Sequence, residues 1–333
     1  FPGRGPRWIG FRILVVLGLA AGSAGPALAA PKVVATIQPV HSLIAGVMAG
    51  IGQPDLLIQA TASEHSYALR PSDARLLDGA DVVFWIGEDL ERQLRKPLAA
   101  LAGKARIVTL AEEAGLRLLP LRRGGGWEAH GEDHEDGGSG PGHAHAQGAE
   151  NRAEGAQDLT APDPHVWLDP ENAKRIASKA AEVLAALDPD NGRRYAANAR
   201  RTAEALDGLD GELRAALAPV RGRPYLVFHD AYQYFENRYD LAAVGSVTVS
   251  AERQPGPRRL YEVRARLLET GAQCIFGEPQ HDMRLARTIA ESTPARLGQL
   301  DPVGAAIAPG PEAYFTLMRQ LAGSLVGCLA DGS

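Results

Sequence analysis

Nine histidines occur in 333 residues, and the isolated ones stand where a fold could bring them together. His65 lies in a loop just after the apolar run 56–59, and His229 directly follows Tyr-Leu-Val-Phe at 225–228. His165 sits in Asp163-Pro164-His165-Val166-Trp167-Leu168-Asp169-Pro170, where two prolines stiffen the backbone and Trp167 offers an apolar anchor. Glu278 directly follows the apolar run 273–277, with His281 and Asp282 just beyond. One histidine in such a setting is ordinarily structural, but three with a carboxylate suggest a metal site. Nitrogen donors with at most one hard oxygen suit Zn2+ better than Mn2+, Ca2+ or Mg2+, although Cu2+ and Ni2+ would bind them too. The histidines are too far apart in sequence for a local metal motif, so the surrounding elements must position them.

Those elements read as an alternation. Strand-like runs at 32–37, 56–59, 81–87 and 106–110 are separated by helical periods at 40–50, 71–79 and 88–101. A second series gives strands at 225–228, 241–249, 273–277 and 296–300, with helices at 229–239, 258–270, 282–292 and 311–329. Strand–helix–strand repeats imply right-handed crossovers and parallel sheets covered on both faces. Between the series, Asp169 is a good N-cap and Pro170 a good first residue for a helix over 170–187. The Ala-rich, charged stretch 189–217 has few breakers and reads as one more helix. The expected fold is therefore α/β: two lobes, each a parallel-type sheet flanked by helices, joined by one long rigid linking helix. The N-terminal lobe spans 31–188, the linking helix 189–218 and the C-terminal lobe 219–333. Ligands of open parallel sheets bind beyond the carboxyl ends of the strands. That rule puts His65, His229 and Glu278 at edges facing a common cleft, which His165 can join.

Residues 1–30 read as a secretory signal peptide, with Arg4, Arg7 and Arg12 ahead of an apolar run that ends in Ala27-Leu28-Ala29. A membrane anchor fits less well, because the run is short and broken by Gly and Pro. No Cys stands at the cleavage point, so no direct membrane anchor is expected. Removing the leader takes the net charge from −5 to −8, which argues against nucleic acid as a partner. The only cysteines, Cys274 and Cys328, read in an exported chain as one disulfide, closing a loop of about fifty residues for roughly 2–4 kcal/mol. Residues from about 122 to 162 are rich in Gly and acids and carry His130, His134, His143 and His145. This stretch lacks the apolar surface to offset ordering, so it reads as a disordered loop. It is either a solvated linker or a low-affinity metal collector whose deletion spares the main site.

Four segments together resemble the zinc-uptake ABC-transporter solute-binding proteins of the ZnuA type. They are Ser63-Glu64-His65-Ser66-Tyr67 with Leu69-Arg70-Pro71-Ser72-Asp73, then Pro164-His165-Val166-Trp167-Leu168. Val227-Phe228-His229-Asp230-Ala231-Tyr232 and Phe276-Gly277-Glu278-Pro279-Gln280 complete the set. The His-rich acidic loop and the two cysteines match the same family, and the likeness covers essentially the whole mature chain. It implies a periplasmic carrier, a monomer and not an enzyme, that holds Zn2+ between two lobes and delivers it to a membrane ABC permease. It also implies His65, His165 and His229 as ligands, with a histidine at the third position where manganese binders resemble this pattern with a carboxylate. The fourth ligand is expected to be Glu64, with Asp282 or water as alternatives, and Glu278 to orient a ligand imidazole. His281 departs from the aromatic or apolar residue expected there, and His41 opens the first helix in a structural role. Affinity should fall as pH drops through roughly 6–7, because the imidazoles must be neutral to bind. A periplasmic zinc buffer or a zinc-dependent hydrolase is the alternative, although no His-Glu-x-x-His helix is present.

Overall fold

The structure, a computed structural model, describes residues 3, 30–127, 161–248 and 255–330. The leader expected over 1–30 (apart from residues 3 and 30) and the histidines His130, His134, His143 and His145 lie outside the described residues. No described helix is long and apolar enough to cross a membrane.

The first half runs β1 (Val33–Ala35), α1 (Gln38–Val47), β2 (Asp55–Leu56), α2 (Pro71–Asp78), β3 (Val82–Trp85), α3 (Glu88–Glu91), α4 (Arg95–Leu101), β4 (Arg106–Thr109) and α5 (Leu110–Glu113). Then come α6 (Pro170–Leu187) and α7 (Gly192–Leu217). The second half is β5 (Pro224–Val227), α8 (Gln233–Tyr239), β6 (Ala242–Ser246), α9 (Pro257–Thr270), β7 (Cys274–Gly277), α10 (Met283–Glu291), β8 (Arg296–Gln299) and α11 (Ala313–Leu329). Each half holds a four-stranded, wholly parallel sheet, in the orders β2-β1-β3-β4 and β6-β5-β7-β8. The two orders are the same plan used twice. Each reverses direction beside its first strand, opening a crevice between β1 and β3 and another between β5 and β7. Cys274 and Cys328 form the expected disulfide, tying β7 to α11.

Three local departures from the sequence pattern have physical causes. The helix expected over 88–101 is broken by a 3-10 turn at Arg92–Leu94, where the Glu91 carboxylate turns back to accept from the backbone N–H of Ile86 and Gly87. The helix expected from residue 229 starts only at Gln233, because His229 and Asp230 are committed to side-chain partners outside it. Residues 122–127, expected as the start of a disordered loop, pack onto the second half instead. Arg122 is ion-paired with Asp230 and Glu236, its guanidinium lies 3.5 Å from the centre of the Trp127 ring, and Gly126 packs against the backbone of β6.

The long helix α7 has 26 residues and spans about 39 Å. It buries Tyr195, Asn198, Leu206, Leu209, Leu213 and Leu217, a stripe at helical spacing. Against this stripe pack α6 and α1 of the first half and α11 of the second. The Asn198 side-chain amide closes the end of α1 by donating to the carbonyls of Val47 and Ala49, at 2.7 and 3.0 Å. One hydrophobic core runs through both halves, from Val34 and Phe84 through Trp167 and Tyr234 to Phe276 and Leu321. A smaller cluster around Val263, Ile275 and Ile289 fills the space under α9 and α10.

The segment carrying His165 lies on the seam between the halves. Val166, Trp167 and Leu168 are fully buried, and the Trp167 indole N–H donates to the Pro302 carbonyl at 2.8 Å. Asp169 then caps α6 by accepting from the Glu171 N–H at 2.9 Å. Because this cap also faces Arg238 at 3.4 Å, Asp169→Ala should cost about 1–2 kcal/mol, read as a lower urea midpoint with an unchanged slope.

Candidate metal centre

The strand ends bring three imidazoles together. His229 leaves the end of β5, His65 comes from the loop between β2 and α2, and His165 precedes α6 on the seam. Their Nε2 atoms approach at 3.3 Å between His65 and His165 and 3.4 Å between His165 and His229. A tetrahedral Zn2+ with nitrogen bonds of about 2.0–2.1 Å would set neighbouring donors about 3.3–3.4 Å apart. The three form a group able to hold a metal ion, two of them buried and His65 half-buried.

The opposite ring nitrogens show what keeps the cluster oriented. Nδ1 of His165 lies 2.8 Å from Asp163, and Nδ1 of His229 lies 2.7–2.8 Å from both oxygens of Glu278. With each Nδ1–H donating to its carboxylate, the Nε2 lone pairs point at one another. That arrangement is unfavourable unless a cation or a proton lies between them. Glu278 also accepts from the Tyr232 hydroxyl at 3.0 Å. Asp163 accepts from the His165 backbone N–H, and its own carbonyl accepts from the Tyr234 hydroxyl. Carboxylate–histidine pairs of this kind fix the tautomer and raise the basicity of a ligand nitrogen.

Charge is distributed unevenly across the three rings. Burial, followed by the neighbouring His229 and His65, drives His165 well below its ordinary pKa, so that ring is neutral. Burial also acts to lower His229, but the Glu278 carboxylate outweighs it and carries the ring up to about 9. Glu278 is correspondingly lowered, with His229 overcoming its burial. Burial pushes Asp163 up to about 7, against its bond to His165 and the charge of Arg122. A dication at the Nε2 atoms would reverse that balance and keep Asp163 ionised.

Among the remaining candidates, Glu64 is buried and its carboxylate stands 3.8 Å from His65 Nε2. Asp282 is not brought to the cluster: it caps α10, pairs with Arg284, and its side chain is half exposed. The capping position one residue ahead of the helix claims its carboxylate. His41 is buried inside α1, its Nε2 on the Pro54 carbonyl at 3.0 Å, away from the imidazole group. His281 stands beside Glu278, its Nε2 3.7 Å from the carboxylate. Sequence reasoning missed Asp163 as the partner of His165, although it lay in the quoted segment two residues away. It also missed Arg122, which links the chain after β4 to Asp230 beside His229. Nothing in the composition of a Gly-rich stretch distinguishes that arginine from its neighbour Arg123.

Two parallel-sheet halves with one interior, and a histidine cluster where their strand ends face each other, define a metal-binding protein of the two-lobed, solute-binding class. The family described as "Zinc-uptake complex component A periplasmic" matches residues 33–328, and the chain belongs to this family, ZnuA. Among relatives, the high-affinity zinc uptake system protein ZnuA of Brucella suis biovar 1 (strain 1330) is 42% identical over 321 residues, covering 93% of this chain and 96% of that protein. A crystal structure of ZnuA superposes with a TM-score of 0.72 at 23% identity, covering 90% of this chain and 99% of the other. A ZnuA deletion mutant with zinc bound superposes with a TM-score of 0.71 at the same identity. These structures match the fold described above.

The His229–Glu278 pair predicts the pH response of the metal-free protein. A histidine whose pKa rises on folding stabilises the fold below its ordinary value of 6.5, and that contribution is lost as pH climbs through about 9. Nuclear magnetic resonance should show one imidazole titrating near 9, and Glu278→Gln should return it toward the ordinary range.

Proposed function

We propose that the protein captures Zn2+ in the periplasm and hands it to an ABC permease for import. His65, His165 and His229 hold the ion through Nε2, and Glu64 or a water completes the tetrahedron. The observation that carries this reading is the approach of His165 Nε2 to those of His65 and His229, at 3.3 and 3.4 Å, with two of the opposite nitrogens fixed on buried carboxylates. Three imidazoles favour zinc over manganese, which prefers oxygen donors. The family description supports the periplasmic address and a place in a zinc-uptake system, from which a permease partner follows. The family consists of binding proteins rather than enzymes, which weighs against a hydrolase built on the same three histidines.

No chemistry on the metal is required. Asp163 and Glu278 hold the rings so that their lone pairs converge, and Zn2+ displaces the proton that Glu278 keeps on His229. Protons and zinc compete for one nitrogen, so binding strengthens from neutral pH up to about 9 and flattens above it. This moves the onset of competition above the 6–7 expected for ordinary imidazoles. The residues from 128 to 160, with His130, His134, His143 and His145, are proposed to collect zinc weakly beside this site. The zinc-bound ZnuA deletion mutant is consistent with a main site that does not depend on an internal segment in that protein. Residues 1–30 are proposed as the export leader and the carrier as a monomer.

Calorimetric titration with zinc, then manganese, tests the reading. One tight zinc site and weak manganese binding are expected. His165→Ala should weaken the tight site by at least about 100-fold with the circular dichroism spectrum unchanged, and Glu278→Gln should weaken it roughly 10–100-fold. Tight zinc binding in His165→Ala would refute the ligand assignment.

A further inference from the structure

His281 is the one imidazole beside the cluster that the capture site does not use. Its ring stacks on Phe228, with centroids 4.9 Å apart and planes 16° from parallel. A phenylalanine would stack as well, so packing does not explain the nitrogens. Among the described residues, the ring makes no hydrogen bond, and its Nε2 faces Glu278 Oε2 at 3.7 Å. That distance is too long for a hydrogen bond but fits two donors on one zinc, with bonds of about 2.0–2.2 Å. His229, Glu278 and His281 form a second group able to hold a metal ion.

Exposure gives this group a direction. His65 and His281 keep 17% and 15% of their side-chain surface, whereas His229, His165 and Glu278 keep 5%, 4% and 1%. An ion entering from water therefore meets His65 and His281 first. Glu278 can take part without releasing the cluster. Its Oε1 accepts from both His229 and Tyr232, at 2.8 and 3.0 Å, so His229 stays oriented on Oε1 when Oε2, which His229 also reaches at 2.7 Å, engages an ion on His281. His229 itself lies 6.0 Å from the His281 ring, centroid to centroid, so a short step moves the ion inward.

We propose that His281 and Glu278 form a landing site at the mouth of the cleft, which takes zinc from solution before the three-histidine cluster receives it. The inference rests on the zinc-capture reading and adds to it a route of entry. A hydrated dication sheds its waters one at a time, and a ligand at the mouth replaces the first of them before the buried donors are within reach. Since unassisted release retraces the same path, a ligand used only in passing speeds arrival and departure by one factor and leaves the equilibrium alone.

That signature is testable in the full-length protein by stopped-flow fluorescence, since Trp167 lies 5.4 Å from His165. Zinc is mixed at less than one equivalent to obtain the association rate, and excess EDTA gives the release rate. His281→Phe keeps the stack and removes the nitrogens; His281→Ala removes both. Both variants should lose roughly three- to tenfold in both rates, with the dissociation constant within about twofold of the original. Unchanged rates in His281→Phe would overturn the landing site. So would faster release with a weakened dissociation constant, which would make His281 a ligand of the final site. A protein that gives no saturable zinc signal with His281 in place would refute zinc capture itself, and the inference with it.

Discussion

The structure is organised around an unfavourable arrangement: three imidazole nitrogens converge, with His165 Nε2 only 3.3 and 3.4 Å from those of His65 and His229. Nothing in the rings themselves favours that geometry, which is stable only with a proton or a metal cation between them. The rest of the molecule prevents the rings from relaxing. Asp163 and Glu278 hold two of the opposite nitrogens, and each carboxylate is in turn fixed by a tyrosine or a backbone group. Each carboxylate is almost wholly buried, so it holds its histidine in a low-dielectric setting where the bond is strong and the unpaired state costly.

Support for the cluster extends outward through a second ring of charge. Arg122 lies between Asp230 and Glu236, with Trp127 against its guanidinium face. Burial acts against its charge, but the two carboxylates hold it protonated, while burial carries Glu236 up to about 7. Removing one partner from such a group leaves a buried charge uncompensated, so the network specifies one arrangement of the chain around His229. It also anchors the stretch after β4 onto the second half of the protein. Leu119 accepts from the Asp163 N–H and donates to the Tyr234 hydroxyl, so the same stretch reaches the carboxylate behind His165.

Much of this was legible in the chain. Strand and helix alternation gave both sheets, because buried parallel strands are apolar runs bounded by turns and helices keep a 3.6-residue period. The helix Pro170–Leu187 was read to the residue, since Asp169 and Pro170 mark its start chemically. The three histidines were legible because each follows a strand or precedes a helix at a place where parallel sheets bind ligands. Where side chains take backbone partners, the pattern misled. Glu91 interrupts a helix that its neighbours would continue, and His229 and Asp230 delay another. Asp282 looked like a ligand by position, but the local demand of a helix start outweighs a distant metal. Arg122 was invisible because a long-range ion pair has no signature in local composition.

The interior common to both halves bears on how the site opens. Trp167 and Tyr314 stitch the seam: the indole donates to Pro302, and the Tyr314 hydroxyl donates to the Trp167 carbonyl at 2.8 Å. Gln38 of the first half donates to the carbonyls of Gly304 and Ile307 in the second. Swinging the halves apart like a clam would tear a continuous apolar interior, and the His65 loop is pinned to that same interior by Ala60 and Tyr67. Gln93 donates to the Glu64 carbonyl and Gln280 to that of Ala60. The cluster is thus built into one continuous frame, and His65 is its most exposed member.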